Sequence, residues 1–216
     1  MKRVRSCDES VRNECVEVGL VEGVQFGDAL PVNEGRTVLV EALLRSVGLV
    51  QRCFQITPAP CSVRNLLLFH TEEYVEALAR ERPEERYGLA FDAHPFPGLM
   101  RHCTHVAGAS LSAAAWLAEN TKNTVQQQHS NNDKALEEEK KKIAICWTGG
   151  RHHARTDCAS GFCFVNDVAL CTLLLRRRGM GRIAYFDMDI HAGDAVEESC
   201  KEEGRKVFLF SHVSLR

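Results

Sequence analysis

An excess of positive charge is missing from this chain: 27 lysines and arginines stand against 29 aspartates and glutamates, for a formal net charge of -2. Nucleic-acid binding driven by displaced counterions needs a basic surplus, so direct electrostatic attachment to DNA or RNA is not expected. Any link to chromatin would run through proteins. A long apolar run is missing too. The amino terminus, Met1-Lys-Arg-Val-Arg-Ser-Cys, carries basic residues with no hydrophobic stretch behind them, which makes neither a signal peptide nor a membrane span and points to a protein that stays inside the cell. The ten cysteines contain no C-x-x-C pair. Scattered at irregular spacings, they read as reduced, mostly buried thiols and not as a disulfide framework.

What is present suits one domain. A length of 216 residues, 44% apolar and 26% charged, allows a single well-buried core and leaves little room for a second. Residues 1 to 34 lack sustained periodicity, although a strand near Val16 to Val24 is possible. From Gly35 to Val50 the set Val38, Leu39, Ala42, Leu43, Leu44 and Val47 predicts an amphipathic helix. Arg36 at its start reads as a solvated cation, because the helix dipole disfavours positive charge there. Thr71 followed by Glu72 and Glu73 predicts a capped helix reaching Arg80, with His70 as a structural residue just before the cap. The segment around Asp92 and His94 is an ordered loop rich in proline and glycine. Residues 102 to 118 mix small and apolar side chains in a closely packed helix, on one face of which His102 and His105 form a possible but incomplete metal pair. Residues 121 to 142 are too polar to bury themselves and read as an exposed insertion, its three acids and three bases a solvated face.

The last third has a different rhythm. Short apolar strands at Ile143 to Trp147, Ile183 to Phe186 and Val207 to Phe210 alternate with helices at Asn166 to Arg178 and Ala195 to Lys201. That order predicts an α/β fold with a doubly wound parallel sheet covered by helices on both faces. Functional groups of such sheets gather beyond the carboxyl ends of the strands. His152 and His153 follow the first of these strands, Asp189 and His191 the second, and Ser211 and His212 the third.

The residue types fit hydrolytic metal chemistry. Asp189 and His191, two apart, can present an oxygen and an imidazole nitrogen on one side of an extended segment, and both suit zinc. No third ligand is identifiable by spacing. His152 and His153 could take a proton from water and hand one to a leaving amine. A carboxylate usually fixes the tautomer of such a histidine, and Asp187 and Asp194 are candidates.

Three segments carry a specific resemblance: Trp147-Thr-Gly-Gly-Arg-His-His-Ala, Ala159-Ser-Gly-Phe-Cys-Phe-Val-Asn-Asp and Tyr185-Phe-Asp-Met-Asp-Ile-His-Ala-Gly-Asp. In this order they closely resemble the zinc-dependent histone deacetylases, class I more than class II, with weaker likeness upstream through Tyr87 to Asp92, Phe69 to Val75 and Arg36. The resemblance implies an arginase-like fold and removal of acetyl groups from lysine side chains of histones or other proteins. It makes Asp189 and His191 zinc ligands, and His152 and His153 an acid-base pair oriented by Asp187 and Asp194 respectively. Gly150 and Phe162 would line the channel for the acetyl-lysine stem, and Asp92 would hold the substrate backbone at its rim. A potassium ion would bind near Asp187, Asp189, His191, Ser211 and His212. Arg36 would be an internal arginine near the channel base. Nuclear or cytoplasmic location and corepressor partners follow from the same likeness.

Departures temper these expectations. Ala192 stands where the family usually has a second histidine, and Ala195 where it has glycine. The insertion at about 121 to 142 is longer than the family's turn. Residues 30 to 216 are expected to be a partial catalytic domain without the family's third zinc ligand and its intermediate-stabilising tyrosine, so weak zinc binding and slow or no turnover are expected of it. Residues 1 to 29 remain unassigned. An acetylpolyamine deacetylase and a non-catalytic relative acting through protein contacts are the alternative readings.

Overall fold

The computed structural model of the protein describes residues 16–22, 35–130, 141–202 and 207–211; for 122–130, 200–202 and 207–211 it describes the backbone path alone. Strand β1 (Val16–Val21) lies between β2 (Phe54–Ile56) and β3 (Lys141–Ile145), with every pairing parallel. Gly19 sits opposite Phe54 on one side and Ala144 on the other. Strands β4 (Ile183–Asp187) and β5 (Val207–Ser211) form a second parallel pair, with Asp187 opposite Ser211.

Helix α4 (Leu99–Ser130) organises the layers. Small side chains let it sit close to the sheet: Ala109 and Ala113 pack with Val21 and Ile56, with Trp116 alongside. Its other side meets α3 (Glu72–Arg80) and α5 (Asp167–Arg177) in the main core of Tyr74, Leu78, Leu99, Cys103, Phe164 and Leu170. Helix α3 starts as predicted, with Thr71 Oγ1 accepting from the Tyr74 amide at 3.4 Å and Glu72 and Glu73 in the first turn. Tyr74 is fully buried and its hydroxyl donates to the Phe164 carbonyl at 2.7 Å, which ties α3 to the loop before α5. The short α2 (Val63–Leu66) is closed by a reciprocal capping box between Ser62 and Asn65. Helix α6 (Asp194–Glu202) follows β4.

The fold is α/β and parallel, and it departs from the sequence reading in several places. Among the described residues β3 pairs with β1 and β4 with β5, while β3 and β4 do not pair with each other. Apolar runs mark strands but carry no information about which distant strand lies beside them. The helix expected over 35 to 50 forms as α1 (Arg36–Ser46), yet it buries no residue, and Val38, Leu39 and Leu43 are 68%, 71% and 62% exposed. The expected insertion begins inside α4, which continues to Ser130; residues 131–140 lie outside the described residues. His102 and His105 do not form a pair. His102 is buried against the rings of Phe96 and Phe164, whereas the Nδ1–H of His105 donates to the Arg101 carbonyl at 2.7 Å.

Candidate functional site

Two strand ends build the site. After β3 the chain turns through Gly149 and Gly150, the latter at φ 92°, and delivers His152 and His153. After β4 it continues from Asp187 through Asp189 and His191 into α6, whose first residue is Asp194. The two ends converge, for His152 Nδ1 donates to Asp187 Oδ2 at 2.7 Å. The rings of His152 and His153 are centred 4.0 Å apart, and those of His153 and His191 6.0 Å apart.

The carboxylates set the state of the cluster. Asp187 Oδ2 also accepts from the Tyr185 hydroxyl at 2.5 Å, and Oδ1 accepts from the Asp189 amide at 3.0 Å. Burial pushes the Asp187 carboxyl up, but donors from Tyr185, His152 and Asp189 outweigh it and hold the group below the usual carboxylate range. Burial and the neighbouring Asp187 raise the Tyr185 hydroxyl, which keeps it protonated as a donor. Asp194 faces His153 less closely, with Oδ1 3.6 Å from Nδ1, while Oδ2 accepts from Arg155 at 2.8 Å. Burial raises Asp194, and the Arg155 contact outweighs it, so this carboxyl too lies below its ordinary value.

Asp189 Oδ1 accepts from the His191 amide at 2.8 Å and from its Nδ1–H at 2.9 Å. The amide bond, then the ring, holds Asp189 below its usual range. One carboxylate oxygen and one imidazole nitrogen thus lie side by side at the surface, donor atoms of the kinds zinc takes, and whichever ring nitrogen bound the metal would have to be the unprotonated one. They fit two places of a zinc site. Among the described residues no group of three His, Cys, Asp or Glu is gathered around one point.

The remaining residues singled out in the sequence are spread around this centre. Phe162 is 47% exposed at φ 61°, and Gly161 before it packs so tightly that a Cβ there would lie 2.5 Å from His153 Cδ2. Asp92 is exposed in a single 3-10 turn, Phe91–Ala93. Arg36 is exposed at the start of α1, which differs from the internal arginine that the resemblance implies. Ser211 aligns with Asp187 through the backbone of β5, and His212 lies outside the described residues. Ala192 is exposed, whereas Ala195 is buried in the first turn of α6. Sequence reasoning passed over Tyr185 and Arg155. Tyr185 lies two residues before Asp187 and therefore on the same side of β4, a period that could have flagged it.

The described cysteines are all free, and burial pushes the Cys61 thiol up to about 12, as expected of inert thiols.

Fold and cluster together define a parallel α/β protein that carries paired histidines, each facing a carboxylate, beside an aspartate and a histidine whose donor atoms are of the kinds zinc takes. Comparison with known proteins makes this specific. Residues 30–214 match the histone deacetylase domain. Histone deacetylase B of Dictyostelium discoideum is 34% identical over 182 residues, 81% of this chain and 38% of the relative. Histone deacetylase 2 of Oryza sativa subsp. japonica is 34% identical over 198 residues, 87% of this chain and 35% of the relative. Histone deacetylase clr6 of Schizosaccharomyces pombe (strain 972 / ATCC 24843) is 33% identical over 187 residues, 82% of this chain and 41% of the relative. The chain belongs to the histone deacetylase family, a family of generally zinc-dependent hydrolases with the arginase-like fold. It spans 35% to 41% of the length of these three relatives. No described helix is long and apolar enough to cross a membrane.

Proposed function

We propose that this chain contributes to zinc-dependent hydrolysis of acetyl-lysine in histones or other proteins, with His152 and His153 as the proton-transfer pair. The single observation that carries this reading is the convergence of four side chains from two strand ends: the rings of His152, His153 and His191, with Asp189 hydrogen-bonded to the last. The relatives' shared name favours acetyl-lysine over acetylpolyamines as substrate.

Asp189 and His191 would hold the zinc. When bound there, zinc would supply Lewis-acid polarisation of the acyl group and a more acidic water. His152 donates from Nδ1 to Asp187, which fixes its tautomer and leaves Nε2 as the proton acceptor. Ionised Asp187 stabilises the imidazolium that forms, as the carboxylate of a hydrolase triad does. His153 stands beside it, nearer His191, where it can pass a proton to the departing lysine amine. Asp194 orients His153 across a longer separation of 3.6 Å. Gly150 and Phe162 would line the way in, and Asp92 would grip the substrate backbone. Asp187, Ser211 and His212 would contribute to a potassium site. We place residues 30–216 in one catalytic domain carrying a polar insertion at about 121–142, acting in the nucleus or the cytoplasm on acetylated protein tails and in company with corepressor subunits.

The test is acetate release from an acetyl-lysine peptide by the zinc-loaded chain. The reading expects release, however slow, that chelation abolishes, zinc restores and His153→Ala removes without loss of bound zinc. Release that survives both chelation and His153→Ala would overturn it.

A further inference from the structure

Asn166 and Asp167, at the start of α5, touch neither the paired histidines' rings nor the proposed metal ligands, yet their side chains grip both edges of the segment that carries the histidines. Asp167 is 2% exposed. Its Oδ2 accepts from the Ser110 hydroxyl of α4 at 2.5 Å and from the Gly150 amide at 3.0 Å, and its Oδ1 accepts from the Arg151 amide at 2.7 Å. A Cβ on Gly149 would run into both Ser110 Oγ and Asp167 Oδ2, so the turn lies directly on this carboxylate. Asn166 has no exposed surface. Its Nδ2 donates to the carbonyls of Ala154 at 3.0 Å and His152 at 3.3 Å, while Oδ1 caps α5 by accepting from the Ala169 amide at 2.9 Å. The Asn166 amide in turn donates to His70 Nε2 at 3.1 Å, and the Thr71 amide donates to the Thr156 carbonyl at 2.9 Å, so α3 secures the same segment from behind.

The two side chains are not interchangeable. Every partner of Asp167 is a donor, and a buried negative charge at a helix start is sustained by three donors and the helix dipole. An amide there would turn its NH2 toward one of them. Asn166 faces two acceptors and one donor, which an amide satisfies and a carboxylate cannot. We propose that Asn166 and Asp167 are positioning residues of the active site: a buried clamp that sets the backbone of 150–154 and so places His152 on Asp187 and His153 beside it. The inference rests on the function proposed above for what the histidines do, but not for where they are.

The experiment follows the exchangeable Nδ1 proton of His152 by NMR in the full chain, a readout that needs no turnover and therefore stands apart from failure of the deacetylase reading. Asn166→Ser keeps a good cap for α5 and deletes both Nδ2 donations; Ser110→Ala removes one donor to Asp167 and changes no charge. Both should leave the protection of the α5 amides intact and speed exchange of the His152 Nδ1 proton on the order of tenfold or more, as expected for one lost hydrogen bond in Ser110→Ala and two in Asn166→Ser. Asp167→Asn and Asn166→Asp, nearly isosteric, should abolish the signal. Leu170→Ala, a core truncation in the same helix, should lower the melting temperature and leave the signal in place. Unchanged exchange in both Asn166→Ser and Ser110→Ala would overturn the proposal, and so would an equal effect of Leu170→Ala.

Discussion

His152 and Asp187 meet through a 2.7 Å hydrogen bond although β3 and β4, which deliver them, share no ladder hydrogen bonds. The contact therefore depends on the turns beyond the strand ends. Asp187 is itself held by Tyr185 on the strand side and by the Asp189 amide on the loop side, so its carboxylate cannot rotate away without losing three donors.

Removing one of those donors tests its part. Tyr185→Phe should cost about 1.5 kcal/mol of stability at neutral pH, the low end for a single hydrogen bond to a charged group. Because Tyr185 helps depress the Asp187 carboxyl, the stability it supplies is present above the ordinary carboxylate range and fades as pH falls through the folded value. Urea unfolding should show the wild type and variant differing at pH 7, with the difference shrinking as pH is lowered below the ordinary carboxylate range. A constant difference would contradict this.

His70 gives a separate acid sensitivity. Burial pushes its imidazole down to about 4 from 6.5, and its Nε2 must stay unprotonated to accept the Asn166 amide. Folding is then insensitive to this group above pH 6.5. As pH falls toward 4 the unfolded chain takes up a proton that the folded chain refuses, costing on the order of 3 kcal/mol. His70→Gln, which cannot titrate, should flatten the pH dependence of urea midpoints across that window. An unchanged slope in the variant would remove His70 as its source.

Two glycines separate crowding from backbone strain. Gly161 and Gly150 both have positive φ, at 52° and 92°, so alanine strains the backbone at either. Only at Gly161 does the added methyl meet a histidine ring, 2.5 Å from His153 Cδ2, whereas nothing lies within 4 Å at Gly150. Both variants should lose stability of about 1–2 kcal/mol by unfolding. Gly161→Ala alone should shift the imidazole resonances of His153. Equal shifts in the two variants would show that strain, not contact, governs the ring.

Much of this was legible in the letters. Thr71-Glu-Glu marked the start of α3, and the Leu and Val periodicity marked α5, because caps and helical faces are local properties. The histidine pair and the D-x-D-x-H segment stood out because they follow apolar strands. Sheet neighbours were not legible, since β1 lies between two strands that come after it in the chain, and a strand's own pattern does not name its partners. Nor was the exposure of α1, whose spacing is amphipathic but whose stripe meets no described core. A metal role for His102 and His105 was disfavoured by the lack of a third ligand nearby in sequence, and His102 is a core ring packed on Phe96 and Phe164, neighbours that helical spacing could not name.

The most direct test of the account is zinc-edge X-ray absorption on the zinc-loaded chain, compared with His191→Ala and Asp189→Ala. The account predicts a first shell of nitrogen and oxygen that includes an imidazole, with the imidazole scattering lost in His191→Ala and zinc affinity reduced at least tenfold in each variant. Spectra and affinities that match the wild type in both variants would place the zinc elsewhere and contradict it.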